Sequence, residues 1–332
     1  MNHLQPPPPL HCLTFDIEEH FQVSAFSSPM RRRHWEQFES RVAQNTDKIL
    51  TLLAARGLHA TFFVLGWVAE RCPSVIRRIV LEGHELASHG YAHELVTSQT
   101  PVVFREDIRR AKRILEDISG QAVLGYRAPS FSITKDSLWA LPILVQEGYQ
   151  YDTSIFPIVH DTYGIPGAAA VLHQIQTEAG PIWELPPSTV EVAGMRVPIA
   201  GGGYFRFCPY ALFRFLLGRA AQSGAPLVTY FHPWELDPEQ PRMKGPLSSR
   251  IRHYTNLAKT EERLVKLVAD FPFASIREAV RPIGDLYGAE GRLPHTAGAG
   301  LTHDVDCESS NRAQSSLVVG RVGPCGGGAL AG

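Results

Sequence analysis

Leu10-His11-Cys12-Leu13-Thr14-Phe15-Asp16-Ile17-Glu18-Glu19 is the stretch on which the reading of this chain turns. Residues 10–15 form a short apolar run of the kind that makes a buried strand, and the run ends in an acidic cluster. Side chains alternate along a strand, so Thr14, Asp16 and Glu18 face one side while Ile17 and Glu19 face the other. Upstream stand four consecutive prolines, so residues 1–9 read as a proline-rich leader that enters neither a helix nor a central strand.

Outward from this strand the same unit recurs. Residues 35–56 have helical periodicity and stop at Gly57, and residues 59–65 form a second apolar strand. A helix over 68–81 leads to a short strand over 85–88, which delivers Ser88-His89-Gly90-Tyr91-Ala92-His93. An amphipathic helix over 102–118 has Ile108, Ala111, Ile114 and Leu115 on one face and stops at Gly120. A strand over 122–126 then runs into Arg127-Ala128-Pro129-Ser130, a helix follows over 138–147, and Tyr151-Asp152 closes a further strand. Alternating strands and helices imply parallel pairing with right-handed crossovers. In each unit the reactive residue types fall just after the strand, where barrel and open α/β enzymes build their sites.

The middle of the chain, 155–208, is rich in proline and glycine and reads as long loops with short irregular strands. Gly201-Gly202-Gly203 lacks the Lys-Ser/Thr ending of a phosphate loop and reads as a flexible substrate loop. A helix over 210–221 precedes a last buried strand over 226–231, which ends at His232-Pro233-Trp234-Glu235, and a last helix spans 260–271. Beyond residue 283 periodicity gives way to glycine, alanine and serine, the composition of a disordered tail.

Composition narrows the function. The chain has 332 residues, 44% hydrophobic, with a formal net charge of −1. That suffices for one barrel-sized domain, and it lacks the basic footprint of a nucleic-acid binder. No apolar stretch approaches the roughly 20 residues that span a bilayer, and the first residues lack the pattern of a signal peptide. The five cysteines are scattered without C-x-x-C spacing, so they read as reduced thiols. The expectation is a cytoplasmic protein without a transmembrane segment.

Among fourteen histidines a pair four apart arises easily by chance. On a helical turn, however, His89 and His93 would point the same way and reach one ion. Two histidines plus one carboxylate, with a coordination position left open, is a catalytic zinc arrangement.

With these segments assembled, the chain resembles the polysaccharide deacetylases of the NodB-homology family, and most of all the subgroup found with exosortase (PEP-CTERM) exopolysaccharide systems. The resemblance covers roughly residues 10–282 and rests on ordered motifs: Thr14-Phe15-Asp16-Ile17-Glu18, Ser88 to His93, Arg127-Ala128-Pro129-Ser130, Tyr151-Asp152-Thr153-Ser154 and Phe231-His232. It implies an α/β fold, a distorted (β/α) barrel with seven strands, and removal of acetyl groups from N-acetylated glycans by metal-assisted hydrolysis. By position it implies Glu18, His89 and His93 as ligands of a divalent ion, zinc first among the candidates. It also implies Asp16 as general base, Arg127 as the residue that orients it, and His232 as general acid. The oxyanion would be held by the ion and a backbone N–H, that of Ser130.

The chain departs from the family pattern in three places. The usual adjacent aspartates are here Asp16 and Glu18, with Glu19 beside them as the alternative ligand. Serine stands at position 130 where the third motif usually has tyrosine. The usual acid-plus-tryptophan motif is not recognisable, so Asp152 is expected to orient His232, with Trp183 or Trp234 lining the pocket. Rival readings are a hydrolase of small cyclic amides or ureides on the same barrel, and a carbohydrate-binding module without catalysis. The retained acid, base and ligand types count against the binding module, because binding alone does not require them.

Overall fold

β1 (His11–Ile17) is buried at every residue, as befits an apolar run with neighbours on both edges. The structure, a computed structural model, describes residues 9–24, 26, 32–160 and 162–280. The leader up to residue 8 and the tail expected from residue 283 lie outside the described residues. After β1 come α1 (Val42–Ala54), β2 (Thr61–Val64), α2 (Gly66–Arg71), α3 (Pro73–Leu81), β3 (Glu85–Ser88), α4 (Pro101–Ser119), β4 (Gly125–Tyr126), α5 (Ala140–Gln146) and β5 (Tyr151–Asp152). Two hairpins follow, β6 (His173–Thr177) with β7 (Gly180–Glu184) and β8 (Thr189–Val192) with β9 (Met195–Pro198). The described chain ends with α6 (Gly202–Phe207), α7 (Tyr210–Ala221), β10 (Val228–Phe231), α8 (Leu247–Tyr254), α9 (Thr260–Asp270), β11 (Phe273–Ala274) and α10 (Ile276–Val280).

Seven strands run parallel in the order β10-β1-β2-β3-β4-β5-β7, with β6 antiparallel at the end and β11 added to β1. This is the expected α/β architecture of a distorted seven-stranded (β/α) barrel. The distortion lies between β7 and β10, where the linking chain replaces a regular ladder. Ser188 N–H donates to Val228 O at 3.1 Å, and Tyr230 N–H donates to Ala200 O at 2.7 Å. Gly201 bridges Tyr230 at φ 134°, and a Cβ there would stand 2.0 Å from the Tyr230 carbonyl oxygen. The glycine run therefore lets two backbones touch. It is not the flexible loop its composition suggests.

The helices pack because their apolar stripes face the sheet. In α4, Thr100 accepts from Val103 N–H as N-cap, Pro101 opens the helix, and Gly120 closes it at φ 66°. Its Phe104, Ile108, Ala111 and Leu115 are buried. Each such apolar side chain contributes about 1.5–3 kcal/mol, and Ile108→Ala would cost about 2–5 kcal/mol.

Three segments differ from the sequence reading. The helix expected over 68–81 is broken at Cys72, because Pro73 brings no N–H to continue α2 and instead starts α3. The region 155–208 holds two regular hairpins; β8 and β9 are joined by Ala193 and Gly194, both at positive φ, as a two-residue turn requires. The short α8, β11 and α10 were not anticipated. Among the described residues no helix is long and apolar enough to cross a membrane.

Candidate metal centre and active site

Asp16 and Glu18 at the end of β1, His89 after β3, Arg127 after β4 and His232 after β10 all gather at the carboxyl ends of the strands. Glu18, His89 and His93 are buried, with one potential ligand atom of each within 4.8 Å of the others. Glu18 Oε2 lies 2.6 Å from His93 Nε2 and 4.0 Å from His89 Nε2. Apart from these imidazoles, no hydrogen-bond donor among the described residues is aimed at that oxygen. A buried carboxylate oxygen met by no other donor, with two imidazole nitrogens converging on it, fits a divalent cation. Burial alone would push the Glu18 carboxyl up, but His93, His232 and His89 outweigh it and hold the group well below the ordinary carboxylate range. Burial pushes His89 down to about 4, which keeps it neutral as a ligand must be.

The two histidines do not meet on a helical turn. Residues 89–95 form a loop in which Gly90 and His93 both have positive φ, 74° and 49°. Asp107 on α4 holds that loop by accepting from Tyr91 N–H at 2.8 Å and Ala92 N–H at 3.2 Å. Only glycine fits at position 90, because a Cβ would stand 2.8 Å from Asp107 Oδ2. The spacing does bring His89 and His93 to one place beside Glu18, through a different backbone path. His89 Nδ1 donates to Arg127 O at 2.8 Å, which fixes its tautomer and leaves Nε2 for the ion.

Glu18 is the acid that joins the histidines; Glu19 is not. Glu19 Oε1 accepts from Ser40 Oγ at 2.5 Å, and its carboxylate takes Arg41 N–H at the entrance of α1. Asp16 Oδ1 accepts from Arg127 Nη1 at 2.6 Å. The guanidinium also donates to Thr14 Oγ1 at 2.7 Å and Thr153 Oγ1 at 3.3 Å, and lies 4.2 Å from the centre of the Phe63 ring. Arg127 is fully buried, and this partner set offsets the cost of burying its charge.

His232 places Nε2 3.9 Å from Asp16 Oδ2 and 3.8 Å from Glu18 Oε1. Its Nδ1 donates to Glu235 Oε1 at 2.5 Å, and Glu235 Oε2 accepts from Arg206 Nε at 2.8 Å. Burial opposes the imidazolium, but the Glu235 hydrogen bond and the charges of Glu18, Glu235 and Asp16 raise its pKa to about 9. Glu235, not Asp152, thus orients His232. Asp152 accepts from Ser154 Oγ at 2.5 Å and stands in register with Glu184, another fully buried acid. Burial pushes the Asp152 carboxyl up to about 6, and burial together with the neighbouring Asp152 pushes Glu184 well above the carboxylate range. Of the two tryptophans weighed, Trp234 belongs to the site and Trp183 lies on β7.

Ser130 and Phe131 both take left-handed φ, 52° and 53°, a strain that clusters at functional sites. Ser130 Oγ is 2.6 Å from Ser24 Oγ. The residues that sequence reasoning missed are Glu235, Arg206 and Asp107. Glu235 had a signal in the sequence, an acid three residues after His232 across a proline-led turn; Arg206 and Asp107 had none.

Residues 7–151 match the family model Polysaccharide deacetylase, and residues 153–281 match a domain of unknown function, DUF3473. The first match supports a polysaccharide deacetylase domain in that half of the chain. A peptidoglycan-N-acetylglucosamine deacetylase of Bacillus cereus is 28% identical over 140 residues, 39% of this chain and 50% of the relative. A chitooligosaccharide deacetylase of Bradyrhizobium is 34% identical over 94 residues, 28% of this chain and 43% of the relative. The chain thus spans about half or less of the length of these curated relatives. Among solved structures, a candidate polysaccharide deacetylase from Mycobacterium smegmatis superposes with TM-score 0.57 at 22% identity, covering 82% of this chain and 90% of that one. The Puue allantoinase superposes with TM-score 0.55 at 18% identity, covering 83% and 91%. These two likenesses concern the fold alone.

Proposed function

We propose that this chain is a metal-dependent hydrolase that removes N-acetyl groups from a hexosamine-containing polysaccharide or its precursor, of the kind made as an exopolysaccharide. The observation that carries the reading is the convergence at one barrel end of an open Glu18-His89-His93 set, an Arg127-held Asp16 and a Glu235-held His232. The match of residues 7–151 and the deacetylase relatives support it.

Glu18, His89 and His93 would hold the divalent ion, zinc for preference, which would polarise the acetyl carbonyl and acidify water. Asp16 takes the proton of the attacking water, its second oxygen held in place by Arg127. His232 gives a proton to the departing sugar amine from Nε2, and Glu235 keeps it charged until then. The backbone N–H of Ser130, a residue in left-handed conformation, would serve as the protein's donor to the developing oxyanion.

Acetate release is the test. Protein loaded with zinc should release acetate from N-acetylglucosamine oligomers and lose that activity on chelation. Release from no N-acetylated glycan, with turnover of a cyclic ureide instead, would replace this reading by the small-amide one.

A further inference from the structure

Glu18 is longer by one methylene than the aspartate usual in its motif, so one more rotatable bond must be fixed before it can serve an ion. The structure shows what fixes it. Trp234 Nε1–H donates to Glu18 Oε1 at 3.0 Å, and both side chains are buried. The indole is itself clamped: the His232 ring stacks on it at 5.0 Å and 22°, and the His253 ring at 4.1 Å and 16°. Gln240 ties the clamp together, donating to Trp234 O at 2.7 Å and accepting from His253 Nε2 at 2.7 Å. Trp234 sits in the short turn Pro233–Leu236 that also carries Glu235.

We infer that Trp234 is a positioning residue that makes Glu18 a one-oxygen ligand. Its N–H anchors Oε1 and leaves Oε2, the oxygen beside both imidazoles, as the one presented to an ion. Indole nitrogen donates and never accepts, so Trp234 holds the carboxylate without competing for the cation. One turn thereby serves both halves of the site: Trp234 aims the ligand and Glu235 aims His232. The inference rests on the metal-centre reading above.

The test is metal binding by the full-length apo-protein, with zinc affinity read by chelator competition and geometry by the visible absorption of bound cobalt. In wild type, failure to bind either ion would sink the metal-centre reading itself. If wild type binds, Trp234→Phe should lower zinc affinity about 10- to 100-fold, the usual worth of an outer-shell partner. Its cobalt absorption should weaken as Glu18 becomes free to bind through both oxygens. Replacement of the Trp234 indole alone by a benzothiophene side chain, which keeps the shape and removes the N–H, should reproduce both effects at unchanged melting temperature. In a Glu18→Asp background, Trp234→Phe should change zinc affinity less than threefold, because the shorter acid no longer uses that anchor. Wild-type affinity and cobalt spectrum in the benzothiophene protein would overturn the inference, as would an undiminished Trp234→Phe effect in Glu18→Asp.

Discussion

Two buried glutamates of the same sheet have opposite fates. Glu85, at the entry of β3, is saturated by protein donors: Thr61 Oγ1 at 2.8 Å, Arg277 N–H at 2.8 Å and Tyr151 OH at 2.9 Å. Glu18, just past the end of β1, has one such donor and an oxygen that faces two imidazoles. A carboxylate held by three protein donors ties β2, β3, β5 and α10 together. One left facing imidazoles in the same low-dielectric interior has room for the cation proposed above. The number of donors, rather than the residue type or its burial, separates mortar from reagent.

Four experiments bear on this contrast. The largest effect is expected at the acid proposed as the base. Asp16→Asn should keep its bound metal while turnover falls about 10²- to 10⁴-fold, the worth of a positioned base. Metal analysis beside initial rates checks it, and loss of metal would make Asp16 a ligand instead. Next comes the glutamate pair itself. Glu18→Gln should weaken zinc binding by more than about 100-fold, beyond the 10- to 100-fold of an outer-shell change. Glu85→Gln should leave zinc binding alone and cost about 1–3 kcal/mol of stability in a denaturant melt, the price of a mismatched buried group. Similar profiles for the two variants would erase the distinction.

A smaller effect tests the loop that brings the histidines together. Gly90→Ala forces a Cβ against Asp107 at φ 74°, and the left-handed conformation alone costs about 1–2 kcal/mol. Zinc affinity should fall with stability, whereas Gly57→Ala, whose Cβ would meet nothing within 4 Å, should lower stability only. The smallest change is a displacement along the pH axis. Glu235 helps raise His232 from 6.5 to about 9, so Glu235→Gln should lower that pKa. The protonated acid would then be lost at lower pH, and the alkaline limb of the rate profile should move down. An unmoved limb would mean that another group gives the proton.

The site was more legible than the path to it. Asp16, Glu18, His89, Arg127 and His232 each follow a strand whose apolar run is plain, and parallel pairing brings strand ends together whatever the loops do. The fold was legible for the same reason, down to the ends of α7 at Tyr210 and Ala221. What stayed hidden depends on single long-range contacts. The Arg206–Glu235 pair spans 29 residues, and nothing local to either residue announces it. The His89–His93 spacing fits a helix as well as a loop; the positive φ of His93 has no signature in its side chain. Asp152 had the right residue type in the right segment, yet its neighbour on β7 is another acid, Glu184. The β6–β7 hairpin was missed because its half-exposed strands, with Gly180 at the turn, resemble loop composition.

The two family matches meet at β5, since one ends at residue 151 and the other begins at residue 153. That seam runs through the middle of a continuous parallel sheet, with Asp16, Glu18, His89 and His93 on one side and His232, Glu235 and Trp234 on the other. Produced as separate polypeptides, the two matched regions would be fragments with raw sheet edges, each inert and each prone to aggregate. Activity would return only on their reassociation, as in a split enzyme. Any exchange of substrate preference between such proteins would therefore have to carry both regions together, because the cut falls between the proposed base, Asp16, and the proposed acid, His232.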